Sequence, residues 1–184
     1  MGVDWSSGTT KTTKTMNTPV FLVQKFAELL KPDASGHSVW DDMLPILQEH
    51  WEEVAKFKEI MVFNPHVQRY IEIERAGRLH LVTLWLDGKL HGYSVHFIVN
   101  GHPHYRQLKW AEDDVHFIHP VYRGTGLHQE MRLFALRTLK ERGVDFVTAR
   151  TKVDHQHDLT LRQIGYKPLD NVYGLNLRDW RPPS

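Results

Sequence analysis

The chain has 184 residues, enough for one domain with a sizeable core and too few for two ordinary domains. Its 23 lysines and arginines nearly balance 22 aspartates and glutamates, so a formal charge of +1 gives no electrostatic reason to expect nucleic acid or a membrane as partner. The absence of cysteine excludes disulfides, thiol nucleophiles and cysteine-based metal sites. No apolar run is long enough for a membrane span or a signal peptide, so the sequence predicts a soluble, cytoplasmic protein.

Residues 1–17 differ in composition from the rest of the chain. They are rich in Gly, Ser and Thr and show no hydrophobic periodicity, which is typical of a disordered tail. Met16 is a possible internal start, so we leave open whether residues 1–15 are native. We expect a single domain over residues 18–184.

Helices are predicted first along this domain. Thr18 can cap a helix that has Pro19 in its first position and ends before Pro32. Residues 38–57 carry apolar side chains at steps of three and four, which predicts a second helix.

The second helix contains a proline, and a shorter third helix follows it. Either Asp41 or Asp42 caps the second helix, so that Pro45 falls in its first turn, or the helix kinks at Pro45. Residues 66–76 can form the third helix, which Gly77 would end.

From residue 79 the pattern changes to strands. Residues 79–86 and 90–99 flank Asp87-Gly88, a strong signal for a two-residue hairpin turn. Asn100-Gly101 predicts a second tight turn, after which residues 105–110 and 115–119 form one long or interrupted strand.

The last third of the chain alternates between helix and strand. A long amphipathic helix begins near Leu127 and ends at Gly143, and residues 144–150 form the next strand. A short helix over residues 158–164 precedes a final strand, residues 172–177, that is expected to close the sheet.

The stretch from His119 to His128 connects an apolar strand to the long helix through two glycines, Gly124 and Gly126. Glycines allow a tight turn and let a ligand approach the backbone, and the N–H groups at a helix start attract anions. The motif therefore predicts a site for a pyrophosphate, although a simple strand-to-helix turn is the alternative.

This order of elements, together with Arg123-Gly124-Thr125-Gly126 and Gly165-Tyr166, resembles the GNAT superfamily of acetyl-CoA-dependent N-acetyltransferases. The resemblance covers nearly everything after Thr18. It implies an α/β (α+β) fold with a mixed, mostly antiparallel central sheet, flanked by helices and splayed between two central parallel strands. Shorter stretches such as Gly77-Arg78-Leu79 and Val172-Tyr173 look like bacteriophage-encoded members, which implies the host cytoplasm.

The resemblance implies acetyl-CoA as cosubstrate. The backbone of Phe117, Ile118 and His119 would hydrogen-bond the pantetheine arm in the opening of the sheet. The family signature, Arg/Gln-x-x-Gly-x-Gly/Ala, departs in its last position, which is His128. The residues that would hold the pyrophosphate are Arg123, Gly124, Thr125, Gly126, Leu127 and His128.

Acyl transfer from a thioester requires a neutral amine, so a carboxylate or an imidazole must take its proton. Strand alternation would place Glu112, Asp114 and His116 on one face if no bulge intervenes. We expect Asp114 to be the catalytic base, with His116 as second choice because imidazole titrates near neutrality. The alternative is that residues 112–114 form a solvated acidic turn.

Two positions depart from the resemblance. The family's usual general acid is a tyrosine four residues before the glycine that ends the short helix, and that position is Leu161. Tyr166 or Tyr173 could substitute for it, or be core aromatics. Asp154 stands where the family often has an asparagine that faces the CoA arm.

The sequence thus predicts an N-acetyltransferase that moves an acetyl group to a primary amine of a small molecule or a protein in a ternary complex. The alternative is a catalytically weak GNAT-fold module that binds CoA or a host protein. The paired histidines at 102/104 and 155/157 lack the spacing of a metalloprotease site, so we expect no metal. The acceptor amine and the oligomeric state, for which a homodimer is one option, remain open.

Overall fold

The structure is a computed structural model that describes residues 18–152, 158–178, 180 and 181, without the side chains of His102 and Asp158. The predicted tail, residues 1–17, lies outside the described residues. The strands are β1 (Val20–Gln24), β2 (Leu79–Leu86), β3 (Lys89–His102), β4 (Tyr105–Ile118) and β5 (Phe146–Ala149). The helices are α1 (Phe26–Leu29), α2 (Val39–Val54), α3 (Val67–Arg75), α4 (Leu127–Glu141) and α5 (Asp158–Gln163).

The strands form one mixed sheet in the order β1-β2-β3-β4-β5. Neighbours from β1 to β4 are antiparallel, and β5 is parallel to β4. The long connection through α4 that a parallel pair requires is present. The predicted mixed and mostly antiparallel sheet with flanking helices is confirmed.

Helices cover both faces of the sheet. On the side that we call the α2 side, one apolar cluster joins Phe26 and Met43 to sheet residues such as Leu81 and Phe117. On the opposite face, the α4 side, Met131 and Leu139 of α4 pack into two further clusters. Because side chains alternate between the two faces, a residue's position along a strand decides whether its side chain lies on the α2 side or the α4 side.

The predicted β2–β3 hairpin is confirmed at Asp87 and Gly88. Both residues have positive φ, 52° and 71°, as the tight two-residue turns that match the twist of paired strands require. The third predicted helix is also present as α3, and Gly77 follows it with φ of 69°. The turn-forming residues were therefore sufficient to predict both the β2–β3 hairpin and the end of α3.

The prediction of a first helix from Thr18 was wrong. Residues Val20–Gln24 form strand β1, which pairs antiparallel with β2, and only the single turn of α1 is helical. Phe21 also stacks on Phe134 of α4, with 5.8 Å between ring centroids. The edge of β2 supplies hydrogen-bond partners, and the β-branched and aromatic residues Val20, Phe21 and Val23 suit a strand, so pairing outweighs the local helical pattern.

Of the two alternatives for the second helix, the cap at Asp41 or Asp42 was wrong. The cap is Ser38, whose N–H and hydroxyl donate to the Asp41 carboxylate at 2.8 and 2.7 Å in a capping box. Pro45 therefore lies beyond the first turn, inside α2, on an exposed position.

Two other predictions failed on the sheet. Strand β3 runs through Asn100-Gly101 as an irregular pairing and turns only at residues 103 and 104. Residues 172–177 form no strand in the described part of the chain, and Val172 and Leu177 are exposed. By local sequence, Asn100-Gly101 suits a turn and residues 172–177 suit a strand. Pairing with the neighbouring strands nevertheless decides whether a ladder continues.

Candidate functional site

The sheet opens between β4 and β5. Their parallel ladder begins at Trp110 and Phe146 and ends at Asp113 and Ala149, whereas β4 continues to Ile118. β4 therefore extends beyond the last residue pair of the β4–β5 ladder. This opening lies directly before the glycine-containing loop.

A β-bulge marks the place where the ladder ends. On β3, Val95 pairs with Val115 and His96 pairs with Asp113, so Asp114 is an extra residue in β4. The bulge shifts the alternation of side chains: Asp113 pairs with Arg132 on the α4 side, and Val115 packs on the α2 side. The condition under which Glu112, Asp114 and His116 would share one face, a strand without a bulge, is therefore not met.

Asp114 lies at the opening and is exposed. Partial desolvation, with help from Asp113 and Glu112, raises the pKa of its carboxyl above the usual value, against the opposing effect of Arg150 and Lys152. Its charge reaches tyrosines of the α2 side, since it contributes to the raised pKa values of Tyr70 and Tyr93. A carboxylate with a raised pKa at the mouth of a cleft is suited to accept a proton.

His116 points away from this opening. Its Nε2 lies 3.2 Å from the carbonyl oxygen of His128, and its ring meets the His128 ring at 4.3 Å. Burial on the α4 side, with the positive charge of Arg132 nearby, holds the pKa of His116 well below its ordinary value. The side chain is part of the contact between β4 and α4.

The loop between β4 and α4 presents consecutive backbone donors. Gly124 and Gly126 have φ of 78° and 91°, and Gly126 caps α4. The Thr125 hydroxyl donates to the carbonyl oxygen of Tyr122 at 2.6 Å, which fixes the turn. Across the described residues, no group accepts a hydrogen bond from the N–H of Gly124, Thr125, Gly126 or Leu127. Four such donors at a helix start form a site for an anion.

Arg123 contributes a backbone position to the loop, but its side chain is engaged elsewhere. The guanidinium donates to both carboxylate oxygens of Glu53 in α2, at 2.7 and 2.6 Å, and to the carbonyl oxygen of Ile118 at 3.3 Å. It also lies over the Phe117 ring at 5.6 Å. Arg123 thus connects α2 to the end of β4.

The remaining predicted cofactor residues occupy the two ends of the loop. The N–H of His119 donates to the carbonyl of His91 at 2.9 Å, which ties the end of β4 to β3. Ile118 and Leu127 are buried with their side chains in the α4-side core, so only their backbone can serve a ligand. The backbone roles that the resemblance implies for these residues stay a prediction.

His50 was missed by sequence reasoning. It lies on α2, is 9% exposed, stacks on Phe117 at 4.8 Å and places Nδ1 2.6 Å from the Tyr93 hydroxyl. Burial lowers its pKa to about 4. A signal was available, because Met43, Leu47, His50 and Val54 follow the helical spacing of the buried stripe.

A group of polar side chains lies buried between the sheet and α4, and we call it the α4-side polar cluster. It contains the Asp113–Arg132 ion pair and a His96 Nε2 that lies 3.9 Å from Asp113 Oδ1. Seven buried polar atoms in the described residues have no hydrogen-bond partner, and all belong to this cluster. Its members are Ser94, His96, Asp113, His116, Arg132 and Tyr166.

The positions considered for a general acid have different environments. Leu161 is 9% exposed and packs as a core residue of α5. The Tyr166 hydroxyl is buried in the polar cluster, where desolvation raises its pKa to about 12. Tyr173 is 89% exposed, so the expectation of a core aromatic is wrong there. Asp154 lies outside the described residues.

Within the described residues, no group of three or more His, Cys, Asp or Glu side chains is arranged to hold a metal ion. The pair at 155/157 and the His102 side chain lie outside them. No helix in the described ranges has the length and hydrophobicity needed to span a membrane.

No protein-family model and no curated protein sequence matches this chain. Solved structures do match it. A ribosomal-protein-alanine N-acetyltransferase from Brucella melitensis biovar Abortus 2308 superposes with a TM-score of 0.61 at 12% identity, over 88% of this chain and 100% of the other. Glucosamine-6-phosphate N-acetyltransferase from Arabidopsis thaliana gives a TM-score of 0.63 at 12% identity, over 88% and 99%.

A third match is a predicted acetyltransferase from Clostridium acetobutylicum, solved with acetyl-CoA. Its TM-score is 0.60 at 10% identity, over 89% of this chain and 99% of the other. At these identities the similarity concerns the fold, which is that of the GNAT acetyltransferases.

Proposed function

We propose that this protein is an acetyl-CoA-dependent N-acetyltransferase that moves an acetyl group to a primary amine in a ternary complex. The observation that carries the proposal is the pairing of two features in a GNAT fold. The loop before α4 has four N–H groups from which no described group accepts a hydrogen bond, and β4 extends beyond its pairing with β5 directly before that loop.

The described residues fit a CoA ligand. The loop donors from Gly124 to Leu127 match the oxygens of a pyrophosphate, and Gly124 has nothing within 4 Å of where a Cβ would stand. The backbone of Phe117, Ile118 and His119 borders the opening in which a pantetheine amide could pair. Because Glu53 neutralises the Arg123 guanidinium, we assign Arg123 to holding the loop against α2.

Acetyl-CoA would supply an activated acyl group as a thioester. The amine nitrogen attacks the carbonyl carbon, the carbon–sulfur bond breaks, and the sulfur leaves as a thiolate that takes a proton from water. Asp114 would accept the amine proton, directly or through water. Its exposure at the opening and its raised pKa favour it over His116, which lies under α4.

Ligand-dependent thermal stabilisation tests the proposal. Saturating acetyl-CoA should raise the midpoint of thermal unfolding, because it binds the folded state only. ATP at the same concentration is the control, since it carries phosphates without the pantetheine arm. A midpoint that acetyl-CoA leaves unchanged, together with no heat of binding by calorimetry, would overturn the proposal.

The acceptor class can be tested with the substrates that the structural neighbours' names suggest. The panel comprises a peptide with an N-terminal alanine, glucosamine 6-phosphate and the aminoglycoside sisomicin. A mass increase of one acetyl group identifies the acceptor. The similarity to bacteriophage-encoded members, and with it the host cytoplasm, stays a prediction from the sequence.

A second candidate function is a GNAT-fold module that binds CoA but catalyses weakly. It is favoured by Leu161 in the position of the usual acid and by the burial of the Tyr166 hydroxyl. Acetyl-CoA binding without thiol release, with any member of the acceptor panel, would favour this alternative.

A further inference from the structure

His50 lies beside the opening between β4 and β5, on the α2 side of the sheet. Its ring stacks on Phe117, at an interplanar angle of 27°. The charges that act on it come from three different elements: Glu53 of α2, Arg123 of the loop after β4 and Lys152, which follows β5. The imidazole therefore stacks on β4 and lies near charged residues that follow both β4 and β5.

The hydrogen bond between His50 and Tyr93 identifies the tautomer. Tyr93 is 1% exposed, and within the described residues its hydroxyl contacts no polar partner besides His50 Nδ1. If Nδ1 were the donor, the buried phenol proton would have no acceptor, which is unfavourable. The phenol therefore donates to Nδ1, and the proton of the neutral imidazole resides on Nε2.

Burial keeps both groups uncharged. It lowers the pKa of His50 to about 4 and raises the pKa of Tyr93 above its ordinary value. At neutral pH, His50 consequently presents one N–H donor and no net charge. No described residue accepts a hydrogen bond from His50 Nε2.

We propose that His50 Nε2–H donates a hydrogen bond to the carbonyl oxygen of the thioester acyl group. The proposal rests on the proposed function, because it requires acetyl-CoA in the opening between β4 and β5. A neutral imidazole can polarise a carbonyl in this way, and a fixed donor stabilises the oxygen as negative charge develops on it. His50 is then a residue that contacts the substrate, and Tyr93 is a positioning residue that holds its tautomer.

The spectroscopic test uses acetyl-CoA labelled with carbon-13 at the carbonyl. A carbonyl carbon shifts downfield when its oxygen accepts a hydrogen bond, so the bound resonance of the wild-type protein should lie downfield of free acetyl-CoA. His50→Phe, which keeps the stacking on Phe117, should remove most of this shift. His50→Gln, which retains an N–H donor, should restore part of it.

A binding test separates the carbonyl contact from folding. S-ethyl-CoA has a thioether in place of the thioester and lacks the carbonyl oxygen. The wild-type preference for acetyl-CoA over S-ethyl-CoA should fall about tenfold in His50→Phe, the scale of one hydrogen bond. A variant that folds poorly would lose affinity for both ligands and leave their ratio unchanged, and such a ratio would count against the proposal.

The outcomes distinguish this inference from the proposed function. If the wild-type protein fails to bind acetyl-CoA, both are overturned. If it binds acetyl-CoA but His50→Phe changes neither the carbonyl resonance nor the affinity ratio, only the role of His50 is overturned. Nitrogen-15 spectra of labelled histidine should show the Nε2–H form, and Tyr93→Phe should shift the population toward the other tautomer.

Discussion

At the residue scale, the candidate anion site depends on backbone conformations that glycine adopts readily. Gly124 and Gly126 turn the chain with positive φ, and none of the residues that the structure describes accepts a hydrogen bond from the N–H groups of residues 124–127. The sequence indicated this site because glycine spacing after an apolar strand is a local signal. Their neighbour Arg123 could not be placed from the sequence, since its partner Glu53 lies 70 residues away.

Gly124→Ala should weaken acetyl-CoA binding. The substitution strains a residue with φ of 78° by about 1 to 2 kcal/mol and adds a methyl group beside the loop donors. Gly143→Ala is the matched control, because Gly143 has φ of 74° and also has nothing within 4 Å. Both variants should lose similar stability in urea unfolding, and only Gly124→Ala should raise the acetyl-CoA Kd. An equal Kd in the two variants would contradict the assignment of the loop.

Asp114→Asn should lower the rate of acetyl transfer by about 10² to 10⁴ and leave the acetyl-CoA Kd unchanged, as expected for loss of a general base. Glu112→Gln is the control, since Glu112 precedes the bulge on the same strand. The wild-type rate should decline toward acid pH as Asp114 is protonated, at a pH above the usual range for aspartate. A rate that survives in Asp114→Asn would assign the proton transfer to another group.

At the scale of elements, the bulge in β4 decides which side chains share the site. Strand alternation alone groups Glu112, Asp114 and His116, but the extra residue sends His116 to the α4 side. A bulge is set by the register of two strands, so the sequence of one strand does not reveal it. The same holds for β1, which was predicted as helix because its partner β2 lies far along the chain.

Gly92→Ala should disturb the end of β4. A Cβ at this position would lie 2.8 Å from the carbonyl oxygen of Phe117, closer than atoms can approach. Either β3 or β4 must move, which should lower the free energy of unfolding by about 1 to 3 kcal/mol. We expect a lower urea midpoint together with a higher acetyl-CoA Kd. Unchanged values for both would show that β3 does not constrain Phe117.

The contact between Arg123 and Glu53 joins α2 to the loop, and a double-mutant cycle with Arg123→Gln and Glu53→Gln can measure it. Their side chains are 43% and 23% exposed, so solvent screens the pair. We expect a coupling free energy of about 0.5 to 1 kcal/mol in urea unfolding, decreasing as salt is added. A coupling near zero at low salt would mean that the bidentate geometry does not persist in solution.

At the scale of the whole molecule, buried histidines connect stability to pH. His50 and His80 have pKa values lowered by burial to about 4 and about 3, and burial also lowers the pKa values of His96 and His116. In the unfolded chain these four imidazoles bind protons near pH 6.5. In the folded protein they bind protons only at a lower pH. Acid therefore favours the unfolded chain through these four groups.

The free energy of unfolding should be nearly constant from pH 7 to 8 and should decrease as the pH falls below about 6.5. The raised pKa values of Asp114 and His37 act in the opposite direction, but they are two groups against four. Urea unfolding at intervals of half a pH unit measures the slope. In His80→Gln the slope between pH 6.5 and 5 should be shallower. A wild-type protein that is equally stable at pH 7 and pH 5 would contradict the burial of these imidazoles.

The sequence by itself determined the hairpin at Asp87-Gly88, the amphipathic helices α2 and α4 and the glycine loop, because turn conformation and helical periodicity are local properties. Only the tertiary structure decided that residues 20–24 join the sheet, that Asp114 bulges and that His50 meets Tyr93 and Phe117. These features depend on pairing between segments distant in the chain, and burial, which changes the pKa values, follows from that pairing.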